Sequence, residues 1–165
     1  MRPARAYIGI GSNLEDPIRQ VRRAFLALNG ILASGCVAQS PLYRTAPVGG
    51  PPGQPDYINA VAALDTGLTP QQLLMALQTL ELAQGRARTV RWGARTLDLD
   101  LLLYDRLTSD DPRLTLPHPR LHERAFVLYP LRDIAPNLDI PGHGPLTELL
   151  ARCPPQAIVR LDSAD

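Results

Sequence analysis

The stretch Thr96-Leu97-Asp98-Leu99-Asp100-Leu101-Leu102-Leu103-Tyr104 is the most apolar strand candidate in the chain. Side chains alternate along a strand with a period of two. That period places Leu97, Leu99, Leu101 and Leu103 on one face, and Asp98, Asp100, Leu102 and Tyr104 on the other. The sheet that contains it is expected to carry packed helices.

The elements upstream sort around this strand. Ala6 to Ile10 reads as a first buried strand, ending at the turn triplet Gly11-Ser12-Asn13. A helix follows, with Asp16 expected as N-cap, Pro17 at its first position and Ile18, Val21, Phe25 and Leu28 on one stripe; Asn29-Gly30 ends it. Val37 to Thr45 is predicted as a second strand and Tyr57 to Leu64 as a third. The Pro- and Gly-rich loop Ala46 to Pro55 between them exceeds what a hairpin needs, which marks it as functional. A second helix begins with Thr69 as N-cap and Pro70, turns Leu73, Leu74, Leu77 and Leu80 inward, and stops at Gly85.

Beyond Tyr104, Pro117-His118-Pro119 introduces a third helical segment through Ala125 to Leu131, and Leu146 to Ala151 is a last candidate helix. Strand, helix, strand, strand, helix, strand is the split βαβ order of a ferredoxin-like sandwich. The expectation is therefore one α+β domain over residues 1–165, with a mainly antiparallel sheet and helices packed on it.

Asp98 and Asp100 point the same way, with Cα atoms about 6.5 to 7 Å apart, so both carboxylates can converge on one or two cations. Two like charges on a half-buried strand repel and lose hydration, and a divalent ion relieves both. All-oxygen ligation selects a hard ion such as Mg²⁺, which completes its shell with phosphate oxygens and water. The competing reading is a solvated strand face carrying two acids. Just upstream, Arg86, Arg88, Arg91 and Arg95 fall within ten residues that contain no acid, so a polyanion and a metal could meet here. A solvated basic loop anchored by Trp92 is the alternative. His118, fixed between two prolines, can donate to a phosphate oxygen. Asn59 shares a strand face with Tyr57, the pairing that reads a flat heterocycle by stacking and by its edge, although such residues also serve packing and turns.

Composition removes several classes. All 17 basic residues are arginine and none is lysine, against 16 acids, for a net charge of +1. A Walker A loop, a protein-kinase fold, a Schiff-base enzyme and a pyridoxal-phosphate enzyme all need a lysine. Cys36 and Cys153 form no metal or disulfide pattern. No apolar run is long enough for a membrane span, and the first residues carry no secretory signature, so a cytoplasmic location without membrane association is expected. The near-neutral charge argues against a ferredoxin-like RNA-binding module, and no nucleic-acid partner is expected. A Mg²⁺-dependent nucleotide hydrolase using the same aspartates remains as the enzyme alternative.

The segment Arg91-Trp92-Gly93-Ala94-Arg95-Thr96-Leu97-Asp98-Leu99-Asp100 resembles the signature of the 6-hydroxymethyl-7,8-dihydropterin pyrophosphokinase family of folate biosynthesis. Residues 7–14, 40–45, 55–60, 114–119 and 125–131 are similar to the family's other motifs in order, so the resemblance spans about residues 6 to 150. It implies transfer of the β,γ-pyrophosphoryl group of ATP to the pterin hydroxymethyl oxygen, with release of AMP. Asp98 and Asp100 would hold two Mg²⁺ ions, and Arg86, Arg88 and Arg95 would neutralise or close over the triphosphate, Arg86 and Arg95 counting with the two aspartates as catalytic. Leu74, Gln78, Glu81, Leu101, Arg113, Thr115, His118 and Arg124 match ATP-side positions. Tyr57 and Phe126 would sandwich the pterin and Asn59 would read its edge, with backbone groups near Thr45 and Val48 completing the contacts. The resemblance also implies a monomer acting on two small molecules. Ala46 and Ala94 stand where the family's pattern has proline, and no general base is evident.

Overall fold

The structure is a computed structural model that describes residues 2–14, 16–47, 53–84 and 97–161. Its central sheet is built from β1 (Ala4–Ser12), β2 (Ser34–Gln39), β3 (Tyr43–Thr45), β4 (Tyr57–Thr66), β5 (Asp98–Tyr104) and β10 (Ile158–Arg160), ordered β10-β3-β4-β1-β5 with β2 also on β4. All of these pairings are antiparallel. Taken with α1 (Pro17–Asn29) and α2 (Pro70–Ala83), the order and pairing are those of the expected ferredoxin-like βαββαβ unit.

Two small hairpins follow, β6 (Ser109–Asp111) with β7 (Leu114–Leu116) and β8 (Asp139–Ile140) with β9 (Gly144–Pro145). A 3-10 turn (Leu121–Glu123), α3 (Ala125–Ile134) and α4 (Leu146–Arg152) complete the described elements. Helices α1 and α2 cover one sheet face, burying Ile8, Ile10, Leu64, Leu99 and Leu101 against Phe25, Leu28, Leu73 and Leu77. Helices α3 and α4 cover part of the other, with Val61, Leu102 and Leu103 packed on Leu128, Leu131 and Leu146.

Local departures from the sequence expectation have physical causes. The second strand divides in two because Pro41 has no amide to donate. Ser40 bridges the gap: its amide donates to the Val61 carbonyl at 2.9 Å, and its Oγ accepts from the Val61 amide at 2.9 Å. Along β5 the register against β1 slips by one, Tyr7 facing Leu103 and Ile8 facing Leu101. This bulge turns Leu102 and Leu103 to the same face and sends Tyr104 to the other, reversing the expected sides of Leu103 and Tyr104. Thr69 and Gln72 form the capping box of α2. Asp16, the expected cap of α1, instead sits at φ 64 and makes no side-chain cap bond. Strand β10 was not anticipated. It adds to β3 with Ile158 opposite Thr45, and the Leu161 amide donates to the Leu42 carbonyl at 2.8 Å.

Tyr43 ties these layers together. Its side chain is buried and its hydroxyl donates to the Asp133 carboxylate on α3, which also lies 4.0 Å from Arg160 of β10. Burial, reinforced by the hydrogen bond to Asp133, pushes the phenol up to about 12. An unfolded phenol titrates near ~10, so this contribution to stability is complete below that pH and lost as the pH rises through about 12. Chemical denaturation of Tyr43→Phe should show a shallower loss of stability than the parent chain across that window. Parallel curves would contradict the role given to this pair.

Candidate active site

The register of three strands builds the site. Asn59 on β4, Gly11 on β1 and Asp98 on β5 lie directly opposite one another in a row across the sheet. The next row is Val61, Gly9 and Asp100, and Thr45 faces Tyr57 on the other flank. Opposed residues point to the same face, so all of these project toward the side carrying α3 and α4. Val61 is covered by that layer, and the residues beyond it are left open.

The opening is a cavity of about 430 Å³. Gly9 and Gly11 floor it, Asp98 and Asp100 form one wall, Tyr57, Asn59 and Thr45 the other, and His118, Arg124 and Phe126 close it from above. The glycines matter because β1 runs between the two walls. A Cβ built on Gly11 would stand 2.8 Å from Asn59 Oδ1, and one on Gly9 would stand 3.3 Å from Leu102 Cδ2. Any side chain at position 11 would therefore displace the Asn59 amide. Asn59 is 7% exposed, and its amide is oriented by Nδ2, which donates to Thr45 Oγ1 at 2.7 Å.

The roof comes from the segment after β7 and the start of α3. The His118 amide donates to the Leu102 carbonyl at 2.9 Å, anchoring the loop to β5 just beyond the aspartates. The Arg120 amide points at His118 Nδ1 from 3.4 Å, leaving Nε2 to carry the proton of the neutral ring. Burial lowers the His118 pKa, opposed by the Asp100 charge and assisted by Arg124 and Arg120. Burial likewise lowers that of Arg124, again opposed by Asp100. The Arg124 guanidinium lies 5.4 Å from the Phe126 ring centroid. Asp98 and Asp100 thus meet cationic and donor groups within one cavity, and their paired hard oxygens suit a Mg²⁺ ion that takes its remaining ligands from phosphate and water.

Eight of the residues singled out in the sequence line this cavity together: Thr45, Tyr57, Asn59, Asp98, Asp100, His118, Arg124 and Phe126. Six do not line it. Leu74 packs against the first core, Gln78 is exposed and Glu81 is buried, all on α2. Leu101 is buried on the opposite sheet face. Arg113 lies in the β6–β7 turn and Thr115 on β7; the Arg113 amide donates to Asp111 Oδ1 at 3.0 Å and the Thr115 hydroxyl to the Asp111 carbonyl at 3.1 Å. Val48, Arg86, Arg88 and Arg95 lie outside the described residues. Gln156, which lines the cavity and whose Nε2 donates to the Ala46 carbonyl at 3.3 Å, carried no signal in the sequence. Gly9 and Gly11 did, by occupying alternate positions of an otherwise apolar strand.

Among the described residues no helix is long and apolar enough to cross a membrane. Comparison with known proteins places these features in a family. The family model described as 7,8-dihydro-6-hydroxymethylpterin-pyrophosphokinase matches residues 7–136. The 2-amino-4-hydroxy-6-hydroxymethyldihydropteridine pyrophosphokinase of Pseudomonas aeruginosa is 51% identical over 160 residues, covering 97% of this chain and 98% of its own. The enzyme of the same name from Haemophilus influenzae is 43% identical over 157 residues, covering 95% and 98%. Among solved structures, wild-type HPPK-DHPS of Plasmodium falciparum with pteroate superposes at a TM-score of 0.70 and 12% identity, over 92% of this chain and 43% of that one. That likeness concerns the fold alone, and this chain spans under half the length of that protein. With a family model over most of its length and relatives matched nearly end to end, the chain belongs to the 7,8-dihydro-6-hydroxymethylpterin-pyrophosphokinase family.

Proposed function

We infer that this chain, as a single pyrophosphokinase domain over residues 1–165, transfers pyrophosphate from ATP to 6-hydroxymethyl-7,8-dihydropterin and releases AMP in folate biosynthesis. The observation that carries the reading is the cavity in which an amide-and-aromatic wall faces a pair of carboxylates across a glycine floor. One wall suits a flat heterocycle and the other suits metal-bound phosphates, with the distance between them set by a single intervening strand. The enzyme acts in the cytoplasm as a monomer on two small molecules, and neither a membrane nor a nucleic acid is a partner.

Tyr57 and Phe126 hold the pterin ring between them, and the Asn59 amide pairs with its edge in the orientation that Thr45 enforces. Backbone groups near Thr45 and Val48 add to that edge. Asp98 and Asp100 hold two Mg²⁺ ions, which neutralise phosphate charge and acidify the attacking hydroxyl when bound. His118, neutral because it is buried, donates from Nε2 toward phosphate oxygen, and Arg124 supplies fixed positive charge on the same side. Arg86, Arg88 and Arg95 add charge to the triphosphate. Leu74, Gln78, Leu101, Arg113 and Thr115 belong to the region of β5, α2 and the β6–β7 hairpin through which the nucleotide is reached. In the reaction the hydroxymethyl oxygen bonds to the β-phosphorus, the bridge to the α-phosphate breaks, AMP departs and the hydroxyl proton passes to solvent.

Incubation with ATP, Mg²⁺ and the pterin should yield AMP only when the pterin is present. Pterin-independent ADP would instead indicate a nucleotide hydrolase at the same carboxylates. Asp98→Ala and Asp100→Ala should each keep the far-ultraviolet spectrum of the parent and lower AMP formation by roughly a thousandfold or more at saturating Mg²⁺. Near-normal turnover in either variant would contradict the metal assignment.

A further inference from the structure

Among the described residues β5 is the outer strand of the sheet, paired with β1 on one side only, and its amides facing away from β1 have no strand partner there. An amide left unpaired inside a protein keeps its full desolvation penalty. Leu99, the residue between the two aspartates, donates its amide to Oε2 of Glu81 at 2.8 Å, and Glu81 is only 6% exposed. Leu73 and Leu77 are buried on the inner stripe of α2, and Glu81 falls at the next position of the same four-residue spacing. An apolar residue would continue that stripe. A carboxylate there costs desolvation, which is offset only by strong hydrogen bonds.

We propose that Glu81 is a positioning residue: its buried carboxylate clamps the β5 backbone at Leu99 and thereby sets the depth at which Asp98 and Asp100 enter the cavity. The two aspartates flank Leu99 and share a face, so a shift of that peptide moves both together. A small hard cation held by these two carboxylates would tolerate little variation in ligand position, so play in the strand would degrade both ligands at once. This role rests on the reading of Asp98 and Asp100 as metal ligands, and it replaces the ATP contact that the family pattern implies for Glu81.

The test compares Glu81→Gln, which keeps an oxygen acceptor of the same reach, with Glu81→Met, which keeps the volume and removes the acceptor. Glu81→Asp, too short to reach Leu99, substitutes for the Met variant if that one does not fold. Three quantities are followed: hydrogen exchange of the Leu99 amide, Mn²⁺ binding in the presence of a non-cleavable ATP analogue by electron paramagnetic resonance, and kcat with KM for both substrates. The Met variant should lose Leu99 protection, bind Mn²⁺ about 10- to 100-fold more weakly and lose kcat to a similar extent, with KM for the pterin unchanged. The Gln variant should stay near the parent in all three. A rise in KM for ATP in both variants with unaltered Mn²⁺ binding would overturn the proposal in favour of a nucleotide contact. Lower thermal stability with Mn²⁺ binding and kcat intact would overturn it in favour of packing alone. Asp98→Asn measured in parallel separates the two levels. If it leaves Mn²⁺ binding unchanged the metal reading itself fails, whereas weakened binding there with a normal Glu81→Met sinks only the positioning role.

Discussion

The site depends on one constraint, the antiparallel register that sets Asn59, Gly11 and Asp98 in a single row across β4, β1 and β5. Opposed residues in a sheet share a face, so the pairing alone decides that an amide and a carboxylate look into the same space. The missing side chain between them turns a sheet surface into a trough. A one-residue slip would turn the aspartates into the apolar layer under α2 and replace them with leucines. The packing prevents that slip, because Leu97, Leu99 and Leu101 are already buried against α1 and α2.

The second constraint is incomplete cover. Helices α1 and α2 bury one face of the sheet, whereas α3 and α4 reach only the part around Val61, Leu102 and Leu103. The bulge in β5 contributes here, since it turns two consecutive leucines toward α3 and α4 and seats that layer at one end of the strand. The exposed end keeps its polar residues within reach of the loop bearing His118, which is fastened to β5 by its own amide. Stability and function thus divide a single strand between them, with apolar anchoring at one end and charge at the other.

Most of this plan was legible in residues that follow a simple period. The alternation of Leu and Asp along β5 placed both carboxylates on one face, and Thr69-Pro70 marked the start of α2, because each signal is local. The bulge at Leu102 was not legible, since a run of three leucines has no polar residue to reveal which face each one takes. Strand β10 escaped for a related reason. Its three residues are stabilised by pairing with β3 and have no buried stripe of their own. Asp16 misled because a good capping residue can be turned away by a left-handed backbone. Glu81 stood out in the sequence only through the family resemblance, and its place on the buried stripe of α2 and its bond to the Leu99 amide come from the structure.

The most direct test of the account is pterin binding to Gly11→Ala in the presence of Mg²⁺ and a non-cleavable ATP analogue, followed by isothermal titration beside a thermal melt. An added Cβ at 2.8 Å from Asn59 Oδ1 has to turn that amide away from its Thr45 partner. The account predicts at least about tenfold weaker pterin binding with the fold retained, the loss of roughly one well-placed hydrogen bond. Binding equal to the parent's in a folded variant would contradict the claim that the empty position on β1 creates the site.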